Sequence, residues 1–274
     1  MSNEETREFD LVIVGTGSGN SIPGPEFDHW NIAIVEKGLF GGTCLNVGCI
    51  PSKMFVYAAD VAETIRGSAI YGIQAEIEGV DWPAIRDRVF GRIDPIAEGG
   101  EEHRVGTECP NIAVFKGTGC LVGERTLEVT DDNGQVVRIS GRHVVLGAGA
   151  SPFIPPYPGL EDVPFHTSDT IMRIDSLPQR LIIFGGGYIA VEFANIFHGL
   201  DVETTLVYRG NRGKARQQLS ETQADYLKEV ISSQHVFLED DQSLEVLLVQ
   251  GPAVRLEALV RRMRGAAPRR GRAA

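Results

Sequence analysis

Two cysteines, Cys44 and Cys49, stand five residues apart in the segment Gly41-Gly42-Thr43-Cys44-Leu45-Asn46-Val47-Gly48-Cys49-Ile50-Pro51-Ser52-Lys53. At the start of a helix, thiols at that spacing can meet across a turn and a half. The helix N-terminus is expected to lower a thiol pKa there. A thiolate so placed is both a nucleophile and a leaving group in disulfide exchange. Zinc binding is the competing chemistry, but it needs four ligands. No CxxC pair or neighbouring histidine supplies them, so no metal site is expected. Cys109 and Cys120 read as packed or incidental thiols, and His29, His103, His143, His166, His198 and His235 as surface or packing residues.

Two glycine runs offer a second chemistry. Gly15-Thr16-Gly17-Ser18-Gly19-Asn20 follows the apolar run FDLVIV, and Glu36 stands sixteen residues after Asn20. Glycines let a backbone approach a pyrophosphate, and an acid at the next strand end binds ribose hydroxyls. Asn20 stands where a third glycine is usual, and Pro23 and Pro25 follow, so any helix there must be short or irregular. Taken alone, the run is either a dinucleotide site or an ordinary glycine turn. The second run, Gly185-Gly186-Gly187-Tyr188-Ile189-Ala190, again follows a strand-like segment, with Glu192 beyond it. The repetition implies two dinucleotides, commonly a flavin and a nicotinamide. Arg209 ends the strand after the second run. It reads either as an acceptor of the 2′-phosphate of NADP or as a solvated strand-end charge.

The elements that must position these groups alternate in type. Strands are expected at 9–14, 31–35, 112–115, 119–122, 126–130, 136–139 and 143–146, with an Asp131-Asp132-Asn133-Gly134 hairpin turn. A helix is expected from Cys44 to about Arg66, with Pro51 in its first turns or kinking it. Residues 67–110 read as mixed and partly helical. A strand at Leu181, a helix after Gly187 and a strand at 202–207 repeat the plan. The fold class is therefore α/β, with two Rossmann-like three-layer units. The Pro-rich SPFIPPYPG stretch divides the chain into 1–150 and 151–274. A net charge of −11 excludes a nucleic-acid surface. No apolar run suits a membrane span, and the acidic N-terminus has no signal core, so a cytoplasmic location is expected. There, close cysteines are more often catalytic or metal-binding than structural.

With its context, GGTCLNVGCIPSK closely resembles the active-site segment of class I flavoprotein disulfide reductases, the family of glutathione reductase, dihydrolipoamide dehydrogenase and mercuric reductase. GTGSGNSI, CIPSKMFVYAADVAETIRG, FGRIDPIAEGGEEHR and HTSDTIMRI narrow the resemblance to the branch acting on mycothiol disulfide. The resemblance runs from about residue 8 to about 210. It implies FAD and NADPH as cofactors, with NADH less favoured, and a small-molecule disulfide as substrate. It implies that Cys44 attacks that substrate, while Cys49 faces the flavin. Lys53, paired with Glu192, would lie near the flavin ring, unless both are solvated helix charges. Gly15, Gly17, Ser18, Glu36, Gly42, Thr43, Gly117 and Gly149 would line the FAD. Gly185, Gly187, Tyr188, Ile189 and Arg209 would hold the nicotinamide nucleotide.

The family pattern is not carried to its end within these residues. A second flavin-contacting segment, the C-terminal dimerisation domain and a His-Pro…Glu segment are missing, and the tail RLEALVRRMRGAAPRRGRAA is basic. The expectation is a homodimer by family, but weak flavin retention for this chain. The alternatives are a truncated, inactive flavin-binding remnant, a frameshifted tail, or another reductase branch that prefers NAD.

Overall fold

The computed structural model describes residues 6–156 and 160–207, and the backbone of 244–248. The chain forms two compact units. The first comprises residues 1–51 and 89–151, and the second 52–88 and 152–274.

The first unit is built on a six-stranded sheet of order β3-β2-β1-β6-β5-β4. Its strands are β1 (Arg7–Val14), β2 (Ile32–Glu36), β3 (Ile112–Lys116), β4 (Thr118–Gly123), β5 (Thr126–Thr130) and β6 (Val136–Leu146). β1 pairs in parallel with β2 and β6, and β2 with β3. The two remaining pairings, β6 with β5 and β5 with β4, are antiparallel. β1 and β2 read as near-continuous apolar runs because both faces of the parallel part are covered. Leu11, Ile13, Ile32 and Ile34 fill one cluster, while Phe9, Val12, Ala33, Val35, Leu127, Val129 and Ile139 fill another. Each fully buried Val, Leu, Ile or Phe side chain among these contributes about 1.5–3 kcal/mol. The hairpin forms at Asp131, whose carboxylate accepts from the Asn133 and Gln135 amides.

One strand assignment is corrected. Residues 136–139 and 143–146 are not two strands but a single eleven-residue strand, β6. Gly141 breaks the apolar pattern in the sequence, yet it lies inside the ladder. A Cβ there would sit 2.6 Å from the His143 carbonyl and 2.8 Å from Val12 Cγ2. The glycine thus admits a close approach to β1 without ending the strand.

The helix expected from Cys44 to Arg66 is also two pieces, α1 (Gly42–Asn46) and α2 (Cys49–Gly67). The break falls at Val47-Gly48, and Pro51 sits in the first turn of α2, where its missing N–H costs little. The partly helical stretch resolves into a 3-10 turn at Ser68–Tyr71 and a long helix, α3 (Trp82–Val105). Asp81 caps α3, accepting from the Ala84 amide at 3.0 Å.

The second unit carries β7 (Phe165–His166), β8 (Arg180–Phe184), β9 (Glu203–Val207) and β10 (Leu244–Leu248), in the order β7-β10-β8-β9 with parallel pairings. Helix α4 (Tyr188–Gly199) follows β8. It packs on α2, where a Cβ at Gly199 would meet Ala59 Cβ at 2.7 Å. Phe55 stacks on Trp82 at 5.0 Å, and Trp82 lies beside Phe197 at 6.0 Å. Arg66 closes the far end of this contact by donating to the Gly199 carbonyl and to Asp201. Among the described residues, no helix is long and apolar enough to cross a membrane.

Candidate functional site

The first unit opens a cleft of about 670 Å³ at the C-terminal ends of its parallel strands. β1 has β2 on one side and β6 on the other, and an open α/β sheet places its ligand crevice at such a switch point. Val14, Glu36, Gly117 and Gly147 mark the ends of four strands in the lining. Gly15, Gly17, Ser18, Gly42, Thr43, Cys44 and Gly149 complete most of the expected set.

The glycines form a close-packed floor. Gly15 has φ +97°, and a Cβ there would lie 2.2 Å from the Gly147 carbonyl oxygen. Gly42 has φ +64°, and its Cβ would lie 2.6 Å from Gly17 Cα. Backbone therefore touches backbone between the first glycine run and the start of α1, the helix that carries Cys44. At Gly149 an added Cβ would meet nothing within 4 Å among the described residues. These residues fit an extended phosphate-bearing ligand that needs bare backbone on its path.

Glu36 is already organised as an anion. Its carboxylate accepts from the Thr16 amide at 2.8 Å, the Thr16 hydroxyl at 2.7 Å and the Gly38 amide at 2.7 Å. Partial burial pushes its pKa up, but the Thr16 and Gly38 hydrogen bonds, helped by Lys116, outweigh it and hold the pKa below the ordinary value. Three of its acceptor positions are used, which leaves capacity for a ligand hydroxyl. Lys116 donates to the Gly38 carbonyl and to Glu101 and lies over the Phe40 ring, pinning the loop after Glu36. Sequence reading missed Thr16. It is almost fully buried, and its position between two glycines was the available signal.

After Gly17 the chain makes only 3-10 turns, Ser18–Ser21 and Pro25–Phe27, as the prolines implied. Asn20, at the third-glycine position, is held by Arg104 of α3. The guanidinium donates to Asn20 Oδ1 and to its carbonyl, each at 2.9 Å. This clamp is invisible to local pattern because its partners are 84 residues apart.

Cys44 and Cys49 are both exposed, and no disulfide joins them. Their meeting depends on the break between α1 and α2. A Cβ at Gly48 would sit 2.8 Å from the Thr43 carbonyl oxygen, so glycine allows the chain to fold back there. The expected lowering of the Cys44 pKa is corrected. The pKa is raised, first because the thiol shares a hydrogen bond with the Cys49 sulfur that holds its proton. Burial and the neighbouring sulfur's charge add to this, while the Cys49 backbone N–H works against it. α1 has five residues with Cys44 at its third, so its dipole does not override the adjacent thiol. Asn46, nearly fully buried, donates to the Phe40 and Gly42 carbonyls and stiffens the same turn.

In the second unit, Lys53 forms an ion pair with Glu192 of α4, and Ser52 donates to the same carboxylate oxygen at 2.8 Å. Gly185 has φ +142°. Gly187 precedes α4, and among the described residues no side chain caps that helix. Tyr188 is exposed, and Ile189 is partly covered. Such a terminus leaves backbone N–H groups for an anion. Arg209 lies outside the described residues, as does His235.

The model of the family described as pyridine nucleotide-disulphide oxidoreductase matches residues 9–244, past the expected limit near 210. Mycothione reductase of Mycobacterium tuberculosis is 49% identical over 74% of this chain and 44% of that protein. Dihydrolipoyl dehydrogenase of Chlamydia pneumoniae is 35% identical over 74% of this chain and 43% of its own length. The HOCl-induced flavoprotein disulfide reductase RclA of Escherichia coli, in its Cu(II) complex, has a TM-score of 0.69 at 23% identity. That match covers 90% of this chain and 57% of the other, and speaks for the fold alone. The chain spans less than half the length of the curated relatives it matches.

Proposed function

Because the chain belongs to the pyridine nucleotide-disulphide oxidoreductase family, we propose that it forms the flavin- and dithiol-bearing part of a reductase. In this reading electrons from NADPH reach a low-molecular-weight disulfide by way of FAD and the Cys44–Cys49 pair. The disulfide of mycothiol is the favoured substrate, supported by the identity to mycothione reductase. One observation carries the reading: Gly15, Glu36 and Cys44 line one cleft.

FAD, when bound, would supply the two-electron carrier between a nicotinamide and the cysteines. The chain's own residues do the rest. Gly15 and Gly17 would let backbone amides approach the pyrophosphate, and Glu36 would accept from a ribose hydroxyl. Gly42, Thr43, Gly117 and Gly149 would border the same ligand. Gly185, Gly187, Tyr188 and Ile189 would meet the nicotinamide nucleotide. Arg209 is the ground in sequence for NADPH over NADH.

In the dithiol, Cys44 would attack one sulfur of the substrate disulfide and expel the first thiol, leaving a mixed disulfide. Cys49 would then attack Cys44 Sγ, expel the second thiol and close the Cys44–Cys49 disulfide. Two electrons leave the pair and two thiols form. The Cys49 N–H that opposes the raised Cys44 pKa also favours a developing thiolate there. A homodimer and a cytoplasmic setting belong to the same proposal.

The test is anaerobic reduction of the FAD-loaded chain by NADPH and by NADH, followed by flavin absorbance. Faster bleaching by NADPH is expected. Equal or faster bleaching by NADH overturns the choice of nucleotide, and failure to take up FAD overturns the whole reading.

A further inference from the structure

Outside the cleft, the first unit gathers a second nucleophilic cluster. Cys109 Sγ lies 3.6 Å from His103 Nε2. His103 Nδ1 is hydrogen-bonded to Glu108. With Glu108 accepting from Nδ1–H, Nε2 is left to accept the thiol proton. On its other side Cys109 Sγ lies 3.5 Å from Arg104 Nη1. That guanidinium is the clamp on Asn20, directly after the first glycine run, and its Nη2 also reaches the Pro23 carbonyl at 3.4 Å. A base, a carboxylate that orients it and a cation thus surround one sulfur. None of them lines the cleft.

The reactant must be small. Cys109 is 9% exposed, while the His103 and Glu108 side chains are 50% and 71% exposed. The relay opens to solvent, but the sulfur offers too little surface for a bulky disulfide. A hydroperoxide can reach it.

We propose that Cys109 is an oxidation site for hydrogen peroxide, and that its sulfenic acid loosens the Arg104 clamp on the first glycine loop. His103 Nε2 takes the thiol proton, and the sulfur attacks one peroxide oxygen. The O–O bond breaks, and the departing hydroxide takes the proton back from His103 and leaves as water. Cys109 loses two electrons and becomes Cys–SOH, while peroxide is reduced to water. The new oxygen is a stronger acceptor than sulfur and competes with Asn20 for the guanidinium. Residues 15–22 then lose their anchor. Any effect on flavin rests on the proposed function, whereas the oxidation and the loosening do not.

The experiment treats the full chain with hydrogen peroxide in the presence of dimedone and maps adducts by peptide mass. Cys120, exposed on β4, is the internal reference. Cys109 is expected to label at least about tenfold faster than Cys120, and His103→Gln to remove most of that advantage. Amide exchange across residues 15–22 is expected to speed several-fold after peroxide treatment, and not to change in Cys109→Ala or Cys109→Ser. Labelling of Cys109 no faster than Cys120 overturns the site, as does indifference to His103→Gln. Unchanged exchange in the oxidised chain overturns the coupling to the loop.

Discussion

The two glycine loops follow the same plan and end in different structures. β1 runs into Gly15 and then only 3-10 turns, whereas β8 runs into Gly185 and the twelve-residue α4. In the first loop an added Cβ at Gly15 would collide with the Gly147 carbonyl, and Asn20 is clamped from α3. In the second, among the described residues, an added Cβ at Gly187 would meet nothing within 4 Å and no side chain caps the helix. A loop without a helix must be shaped by its neighbours. A loop that feeds a helix inherits N–H donors from the helix itself.

Substitutions can break this contrast. The largest effect is expected for Gly15→Ala, which combines a positive φ with a backbone collision. It should cost about 3 kcal/mol or more in urea unfolding and abolish FAD uptake. Gly187→Ala, at φ −82° with no neighbour within 4 Å among the described residues, should stay within about 1 kcal/mol of the parent. Equal costs at the two positions would erase the contrast.

Gly48→Ala comes next. Its Cβ must push against the Thr43 carbonyl, so a loss of about 1–3 kcal/mol is expected. Closure of the Cys44–Cys49 disulfide, read by mass after alkylation, should slow. Cys49→Ala should lower the Cys44 pKa toward the ordinary thiol value, because the hydrogen bond that holds its proton is gone. The pH profile of Cys44 alkylation reads this directly, and an unmoved profile would contradict the assigned cause.

Glu36→Gln is expected to cost about 1 kcal/mol near neutral pH, since the site is partly solvent-screened. The folded pKa is depressed, so this stabilisation is present above the ordinary carboxylate value and is lost as pH falls through the folded value. Unfolding curves of Glu36→Gln and parent should therefore converge in acid. The smallest effect is expected for Lys53→Met. Lys53 is 69% exposed in its pair with Glu192, and removing it should shift stability by less than about 1 kcal/mol.

Local pattern made much of this fold legible. Apolar runs gave β1, β2 and β8, and turn chemistry gave the hairpin at Asp131–Gly134. The glycine runs brought most of the cleft residues onto one list. What stayed hidden depends on contacts distant in sequence or on single atoms. Gly141 resembles a turn but is a close approach inside β6. Gly48 divides a helix that periodicity shows as continuous. β10 lies in a stretch where the expected pattern had faded, yet it pairs with β8. Thr16 and Arg104 matter through partners on other elements, and spacing along the chain does not reveal these.

Under the proposed function, the cleft presents a bound flavin to the Cys44–Cys49 pair. The most direct test is a thiol count on the air-oxidised, FAD-loaded chain after anaerobic addition of NADPH. Two new thiols per chain are expected, mapping to Cys44 and Cys49, and none when FAD is omitted. No gain in thiols, or a gain independent of FAD, would contradict it.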